Sequence, residues 1–336
     1  MVVDLGTRHL TPHSAAARAR AFDLVAAGRR GHKIDSLLRG NWATELVARA
    51  SSSPVLLIPA LPSAGRVCID GVVRQRGGAG DGDGIPVAAA AGGDPRGGPD
   101  GSRPAVLLQS AGGVHISELA SRPGLANWLA MAQAGDIAVA DAVTAEDVAE
   151  LGRAVAGRSD VLLAGPAEAL AIGFCPECPP SPGAFVPPVG SAPVVVVCGS
   201  LHLTARRQLA VLATERLDVV QIVTPMRYSS EPVRPGAAGD AARRLAAEVR
   251  RTVEKQPPGA VVILGGDTAA AVLGDAMLVV EGLAAPGTPV ARRPDGSGPW
   301  IVTRSGSFGD DHALVDLVTI LESGDAPAGE WQADVR

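Results

Sequence analysis

The later part of the chain repeats one local pattern: a short apolar run, then glycine or serine, then a helix-forming segment. The clearest examples are Val194–Cys198 and Ala260–Leu264, and the expected strand Trp300–Arg304 begins with three apolar residues. Apolar runs of this length, bounded by turn residues, are typical of strands that are covered on both faces. Strands that alternate with helices build a largely parallel sheet between helical layers. The pattern therefore predicts an α/β fold. The other elements expected here are a strand at Val219–Val223 and helices at Thr204–Thr214, Ala237–Glu254, Thr268–Met277 and His312–Leu321.

The first half shows the same alternation less regularly. The strands expected here are Val2–Leu5, Val55–Pro59, Ala105–Leu108, Ile137–Ala140 and Val161–Ala164. The helices expected here are Pro12–Ala27, Ala43–Ala50, Thr144–Ala156 and one that begins near Pro166. Thr144, followed by two acidic residues, is a typical helix N-cap. The segment 77–103 is dominated by Gly, Asp, Ala and Pro, and predicts a long surface loop.

A proline-rich stretch separates the two halves. The chain has 336 residues, a length that usually forms two domains. The run CPECPPSPGAFVPPVGSAP, from position 175 to 193, is too rich in proline for a helix or a central strand. We therefore predict one domain at 1–174, a linker at 175–192 and a second domain at 193–336, each a mainly parallel sheet flanked by helices. Cys175 and Cys178 have the spacing of a zinc or redox pair, but tetrahedral zinc needs four ligands, so we expect a turn.

Composition argues against several classes of protein. Aromatic residues make up 3% of the chain and the net charge is -5, which predicts no nucleic-acid partner. No stretch reaches about 18 uncharged apolar residues, so we expect no membrane partner. The N-terminus lacks a basic region followed by an apolar block, and four cysteines are too few for a disulfide framework. We expect a soluble cytoplasmic protein that binds a small molecule.

Small residues follow three of the expected strands, at Gly199–Ser200, Gly265–Thr268 and Ser305–Gly309. Ligands of open α/β sheets collect beyond the carboxyl ends of strands, where helix N-termini suit phosphate groups. Any one of these segments could be only a tight turn, but three in one domain favour a nucleotide site. A Gly-Lys-Ser/Thr loop is absent, and no Gly-x-Gly-x-x-Gly joins a strand to a helix. A nucleotide binder would therefore belong to a less common class.

The segment His32–Asn41 gathers an ammonium, a guanidinium, a carboxylate and a hydroxyl group within a few positions. Lys33, one of two lysines in the chain, and Arg39 could clamp a carboxylate or a phosphate. The alternative is a charged surface loop with an internal Asp35–Arg39 pair, which stabilises little in water. Arg8 and Arg66 are further cations just beyond expected strands.

These segments resemble signatures of the four-carbon acid sugar kinase family. Lys33–Asn41 (KIDSLLRGN) resembles its KxDSTLRGN segment, Pro59–Arg66 its PAFPxxGR segment and Thr7-Arg8-His9 its TR(H) segment. Asp141–Thr144 (DAVT) is similar to DAxT, and Gly165–Ala167 is a looser match to GSAG. Farther on, Cys198–Ser200, Gly265–Thr268 and Ser305–Gly309 resemble the nucleotide-site segments of the family, in the same order. The resemblance covers nearly the whole chain.

The resemblance implies an ATP-dependent kinase that phosphorylates the terminal hydroxyl of a four-carbon sugar acid, such as threonate, erythronate or an oxo-tetronate. It places the active site in a cleft between the two domains and implies a requirement for Mg²⁺, whose ligands it does not name. The residues expected to face the sugar acid are Arg8, Lys33, Asp35, Ser36, Arg39 and Arg66. The residues expected to face ATP are Ser200, Gly265, Gly266, Asp267, Thr268, Gly306 and Gly309. A homodimer is one oligomeric state that we consider.

The chain also departs from the family pattern. It lacks the acidic DDxTGA turn that precedes the TR segment, and it has Leu37 and Ser307 where the family has other residues. Because that turn helps to form the substrate site, we assign no catalytic residue. Either the start codon lies farther upstream, or the chain is a truncated, non-catalytic relative that only binds nucleotide or sugar acid.

Overall fold

A computed structural model describes residues 3–8, 10–25, 28–76, 82–90, 100–120, 122–175, 185–187, 189–190, 192–200, 202–224, 237–285 and 287–324. The chain divides into two compact units, Met1–Pro180 and Ser181–Arg336. The predicted linker lies largely outside the described residues, so its conformation stays a prediction. Cys175 is disulfide-bonded, and Cys178 is not among the described residues.

The first unit alternates strands and helices. Its described strands are β1 (Gly31–Lys33), β2 (Val55–Leu57), β3 (Arg66–Ile69), β4 (Val72–Gln75), β5 (Ile85–Pro86), β6 (His115–Leu119), β7 (Asp136–Ala140) and β8 (Leu162–Gly165). Its described helices are α1 (Pro12–Val25), α2 (Trp42–Ala50), α3 (Val87–Ala90), α4 (Pro104–Ser110), α5 (Arg122–Met131), α6 (Ala145–Ala154) and α7 (Ala167–Phe174). A short 3₁₀ helix at Pro62–Ala64 precedes β3.

The main sheet of this unit is parallel throughout, in the order β1-β8-β2-β7-β6. Its central strands are fully buried, as expected for a sheet covered by helices on both faces. Because all five strands run the same way, the segments that follow β1, β2, β7 and β6 emerge at one edge. The loop after Lys33 and the segment after Asp141 therefore lie at the same edge of the sheet.

A second sheet, with the order β3-β4-β5, is antiparallel. Cys68 of β3 pairs with Ala142, just beyond β7, through Cys68 N to Ala142 O at 2.8 Å. This pairing joins the small sheet to the carboxyl edge of the main sheet. It also places Arg66, the first residue of β3, near that edge.

Three expectations for the first unit differ from the structure. Ala105–Leu108 belongs to helix α4 rather than to a strand. Pro104 occupies the first turn, where proline is favoured, and burial of Pro104, Ala105 and Leu108 follows helical spacing. Val3–Leu5 forms no strand in the described residues. The expected loop at 77–103 contains β5 and α3, and Val87 within it is buried.

The second unit contains a six-stranded sheet. Its strands are β9 (Val194–Cys198), β10 (Val220–Val223), β11 (Ala260–Leu264), β12 (Val279–Ala285), β13 (Thr288–Arg292) and β14 (Trp300–Arg304). Its described helices are α8 (Leu203–Glu215), α9 (Ala237–Lys255), α10 (Gly266–Leu273) and α11 (Ala313–Ser323). The strand order is β10-β9-β11-β14-β13-β12. The first four strands are mutually parallel, and β13 is antiparallel to both of its neighbours, β14 and β12.

Alternate side chains of the central strands enter different cores. Val194, Val196 and Cys198 pack with α8 and α11 on one face, whereas Val195 and Val197 pack with α9 on the other. Because both faces of strands β9 and β11 are covered, their sequences are unbroken apolar runs. The α/β prediction, with mainly parallel sheets flanked by helices, is confirmed. The predicted location of the active site between the domains stays a prediction.

Candidate functional site

The loop that follows β1 is organised by the carboxylate of Asp35. Its Oδ2 accepts hydrogen bonds from the backbone N–H groups of Leu37 (3.3 Å) and Arg39 (3.2 Å). Arg39 also donates from Nε to Oδ2 (2.8 Å) and from Nη2 to Oδ1 (2.9 Å), a bidentate pair. Leu38 has φ +59° and Gly40 has φ +90°, so the chain turns sharply at the guanidinium. The expected Asp35–Arg39 pair therefore exists, and it fixes the direction of Arg39.

Two further arginines lie within electrostatic range of Asp35. Burial raises the pKa of this carboxyl, but the hydrogen bond from Arg39 and the charges of Arg39 and Arg8 hold its pKa below the ordinary value. Arg66 is completely buried and donates from Nη1 to Ala64 O at 3.2 Å. Burial lowers the pKa of Arg66 to about 10, while the charge of Asp35 raises it, so Arg66 stays protonated at neutral pH.

We call Arg8, Arg39 and Arg66, together with Asp35, the guanidinium cluster. These four side chains sum to two positive charges. Arg39 retains 30% of its side-chain exposure and Asp35 retains 22%, so the cluster reaches the surface of the unit. Guanidinium groups match the planar fork of a carboxylate or phosphate. The structure therefore brings together four of the six residues that the sequence predicts for an anion site.

The other two predicted residues are placed differently. Lys33 is exposed at the carboxyl end of β1, opposite Gly165 in β8. Ser36 is half-buried within the Asp35 loop. In the described part of the chain, neither side chain makes a hydrogen bond or ion pair with the guanidinium cluster.

The remaining segments that resemble the family have structural functions. Asp141 accepts hydrogen bonds from the backbone N–H groups of Asp70 (2.9 Å) and Gly71 (3.1 Å), which fixes the β3–β4 turn. Thr144 and Asp147 form a capping box at the start of α6, as the sequence predicts. At Gly165, a Cβ would be 2.6 Å from Ile58 O, so the close approach of β8 to the chain after β2 requires glycine.

The first unit also contains a cavity of about 240 Å³ at the carboxyl ends of β6 and β7. Its walls include Leu119, Leu125 and Leu129 together with Asp141 and Glu150. None of the residues predicted to face the sugar acid lines it. The guanidinium cluster is therefore separate from this cavity.

In the second unit, the three predicted glycine turns lie side by side. Strands β9, β11 and β14 are adjacent, and their last residues, Cys198, Leu264 and Arg304, occupy one row of the sheet. A Cβ on Gly199 would overlap Thr268 Oγ1, and a Cβ on Gly306 would overlap Ser200 Oγ. The turns after these strands are therefore in close contact at one edge.

Glycine is also required at the middle turn. Gly265 has φ +105°, a backbone conformation that residues with a side chain rarely adopt. A Cβ at this position would be 3.7 Å from Ser200 Cβ. Gly266 and Asp267 are exposed in the first turn of α10, whereas Thr268 is buried beneath them. Since α10 begins at this edge, its first N–H groups and its partial positive charge lie there.

The turn after β14 is stabilised by two buried side chains that sequence reasoning did not select. Gln208 of α8, with 0% exposure, donates from Nε2 to Phe308 O (2.8 Å) and Asp310 O (2.6 Å). Arg304 donates to Phe308 O (2.5 Å) and Ala313 O (3.2 Å), and burial lowers its pKa. Gly309, with φ +76°, passes next to Arg304. The signal for Gln208 is a polar residue on the apolar face of an amphipathic helix.

The described residues contain neither a metal-binding cluster nor a helix that could cross a membrane. Within these ranges, no group of three or more His, Cys, Asp or Glu side chains is arranged to hold a metal ion. None of the described helices combines the length and the hydropathy that a bilayer crossing requires.

Each of the two units matches a known protein domain. Residues 1–171 match the model of a sugar-binding N-terminal domain, and residues 227–314 match that of a nucleotide-binding C-terminal domain. The chain therefore belongs to the family of proteins with this sugar-binding N-terminal domain. The pair of domains is the architecture of four-carbon acid sugar kinases, as the sequence resemblance implies.

Similar proteins cover almost the whole chain. A D-threonate kinase of Cupriavidus necator is 28% identical over 97% of this chain and 88% of its own length. A D-threonate kinase of Bordetella bronchiseptica is 28% identical over 94% of this chain and 84% of its own length. Among solved structures, Haemophilus influenzae HI1011 has a TM-score of 0.55 at 17% identity and covers 94% of this chain and 88% of that one. That likeness supports the fold.

Proposed function

We propose that this chain is an ATP-dependent kinase that phosphorylates the terminal hydroxyl of a four-carbon sugar acid, with D-threonate as the first substrate to test. The match to sugar-binding and nucleotide-binding domains supports this proposal, as do the relatives named D-threonate kinase. The observation that carries it is the guanidinium cluster, because a sugar acid differs from a neutral sugar by its carboxylate. A site for that carboxylate needs preorganised cations.

In this proposal, the guanidinium of Arg39 binds the acid, and Asp35 keeps this guanidinium in one orientation. Arg8 and Arg66 add positive charge near Asp35 and Arg39. Arg66 is completely buried, and water screens a buried charge less than a charge at the surface. Lys33 and Ser36 would contact the hydroxyl groups or the transferred phosphate from the same loop.

The nucleotide would bind at the carboxyl edge of the second sheet. There, the small residues of the glycine turns would let phosphate groups approach the first N–H groups of α10. The residues proposed to face ATP are Ser200, Gly265, Gly266, Asp267, Thr268, Gly306 and Gly309. Transfer of a γ-phosphate depends on positioning and on stabilisation of negative charge more than on covalent participation of the protein.

Neither a catalytic base nor a set of Mg²⁺ ligands is assigned. Magnesium usually reaches such sites on the nucleotide phosphates, with one or two protein carboxylates, and supplies neutralising charge there. Because the described residues contain no group arranged as a metal site, we derive no step through the ion.

The test is ADP release by the purified protein with Mg-ATP and a panel of D-threonate, D-erythronate and their oxo forms, with threitol as the neutral control. The proposal predicts release above the ATP-only rate for at least one acid and none for threitol. Binding of both ligands without ADP release would identify a relative that only binds them. Equal rates with D-threonate and threitol would contradict recognition by the guanidinium cluster. The cytoplasmic location and the homodimer stay predictions.

A further inference from the structure

Asn41 lies where the Asp35 loop enters helix α2. It is the N-cap residue of this helix, and its backbone carbonyl accepts a hydrogen bond from Glu45 N at 3.0 Å. Asparagine usually supports an N-cap because its side-chain oxygen accepts a hydrogen bond from an N–H group of the first turn. Asn41 makes no such side-chain bond, although only 8% of the residue is exposed. Its amide therefore serves a different contact inside the unit.

That contact is with the segment that carries Arg8. Asn41 Nδ2 donates to Thr7 O at 2.8 Å and to Leu10 O at 2.9 Å. Because both partners are carbonyl oxygens, the amide must direct its nitrogen at them, and each of its two hydrogens has an acceptor. Leu10 N also donates to Thr7 O at 3.0 Å, so the two carbonyls lie at the ends of one hydrogen-bonded turn. Asn41 thus connects both ends of this turn to the start of α2.

Arg8 extends from this turn to the guanidinium cluster. A Cβ on Gly40 would lie 3.6 Å from Arg8 Cγ, so the stem of Arg8 passes next to the residue that precedes Asn41 in the chain. Gly40 belongs to the loop in which Asp35 and Arg39 form their bidentate pair. The charge of Arg8 contributes to the lowered pKa of the Asp35 carboxyl, which agrees with this placement. The backbone of Arg8 is therefore held at Asn41 and its stem lies at Gly40.

We propose that Asn41 is a positioning residue that holds Arg8 in the guanidinium cluster through the carbonyls of Thr7 and Leu10. The effect on catalysis rests on the proposed function, whereas the effect on the position of the segment does not. If Arg8 binds the acid equally in the ground state and the transition state, its displacement raises KM for the acid and leaves kcat unchanged. An amide that only stabilised the fold would not act selectively on the acid.

The test uses two substitutions of Asn41. Asn41→Asp keeps the shape but places a second oxygen, which cannot donate, against the two carbonyls. Asn41→Ser is neutral and lacks the amide, and both serine and aspartate are good N-cap residues, so α2 can still form. Asn127→Asp is the matched control, because Asn127 is exposed on α5 and undergoes the same change of atoms. Arg8→Ala, alone and combined with Asn41→Ser, completes a double-mutant cycle.

Three quantities are measured for each variant: hydrogen exchange of the peptide covering residues 3–12, KM and kcat for D-threonate and ATP, and the melting temperature. Asn41→Asp and Asn41→Ser should exchange this peptide about tenfold faster than the wild type, and Asn127→Asp should not. Both Asn41 variants should raise KM for D-threonate by about tenfold, with kcat and KM for ATP unchanged. In the Arg8→Ala background, Asn41→Ser should change KM for D-threonate by less than about twofold, because the guanidinium that it positions is absent.

Wild-type exchange together with wild-type KM in Asn41→Ser would overturn the proposal. A further rise in KM of about tenfold when Asn41→Ser is added to Arg8→Ala would also overturn it, since Asn41 would then act independently of Arg8. Should Asn41→Asp fail to fold, Asn41→Ser decides alone. A wild-type protein without activity on any sugar acid, but with the exchange pattern described, would overturn only the proposed function.

Discussion

Gly306 lies so close to Ser200 that a Cβ on the glycine would overlap the serine Oγ and approach Ser200 Cβ to 2.7 Å. The contact joins the turns after β14 and β9, with β11 between these two strands. Side-chain carbons do not occur at such distances in folded proteins, so a methyl group at position 306 must displace one of the turns. The arrangement of the proposed nucleotide edge therefore depends on glycine at this position.

Replacing Gly306 with alanine should weaken the binding of ATP. We expect the Kd for ATP to rise by about tenfold, or about 1.4 kcal/mol, because the turns separate. The Kd for D-threonate should stay within about twofold of the wild-type value, a change of less than about 0.5 kcal/mol. Titration calorimetry with each ligand measures both values. Gly239→Ala in α9 is the control, since the nearest atom to its Cβ would be 3.6 Å away. Wild-type affinity for ATP in Gly306→Ala would contradict this assignment.

Gly266→Ala separates an effect on the ligand from an effect on the fold. No atom lies within 4 Å of a Cβ at this position, and its backbone conformation suits alanine. The melting temperature should therefore equal that of the wild type or exceed it slightly. If phosphates approach the first turn of α10, the added methyl group should still raise the Kd for ATP severalfold. Unchanged ATP affinity would place the phosphates elsewhere.

Much of this edge could be predicted from the sequence because strands and turns are local features. Val194–Cys198 and Ala260–Leu264 are unbroken apolar runs, Trp300–Arg304 begins with three apolar residues, and the structure has strands with these bounds. By contrast, β12 begins with exposed Val279 and Val280 and carries no alternation, so its pairing depends on distant partners. The sequence predicts a strand at Ala105–Leu108, where the structure has helix α4, because a four-residue apolar run fits either element.

Only some contacts of the candidate site could be predicted from the sequence. Asp35 and Arg39 are neighbours in the chain, so their pairing could be predicted. The approach of Arg66 depends on the small antiparallel sheet, which no local pattern indicates. Gln208 contacts Phe308 and Asp310 across about a hundred positions, and such contacts are decided by packing.

Replacing Gln208 with methionine should loosen the turn after β14. The variant keeps the volume but leaves Asp310 O without its donor, and a buried unpaired carbonyl costs about 1–3 kcal/mol. We expect a lower melting temperature and a severalfold higher Kd for ATP, measured by calorimetry and thermal unfolding. Leu212→Met, on the same buried helix face, is the control for packing changes. Equal ATP affinity in the two variants would show that the turn does not need Gln208.

Asp35 should make the stability of the first unit depend on acid pH. Its pKa in the folded protein is below the ordinary value of 3.8, because the Arg39 hydrogen bond and nearby cations outweigh burial. The stabilisation is therefore complete above the unfolded pKa and is lost as the pH falls through the folded one. The difference in melting temperature between wild type and Asp35→Asn should be constant from about pH 8 to 5 and shrink below about pH 4. A difference that stays constant down to about pH 3 would contradict this.

The most direct test of the account is the affinity of Arg39→Ala for the two ligands, measured by titration calorimetry with D-threonate and with ATP. Arg153→Ala is the control, because Arg153 forms an exposed pair with Glu146 elsewhere in the first unit. The account predicts that Arg39→Ala raises the Kd for D-threonate by about tenfold or more, with ATP affinity and the control variant unchanged. Equal loss of both ligands, or unchanged affinity for D-threonate, would contradict it.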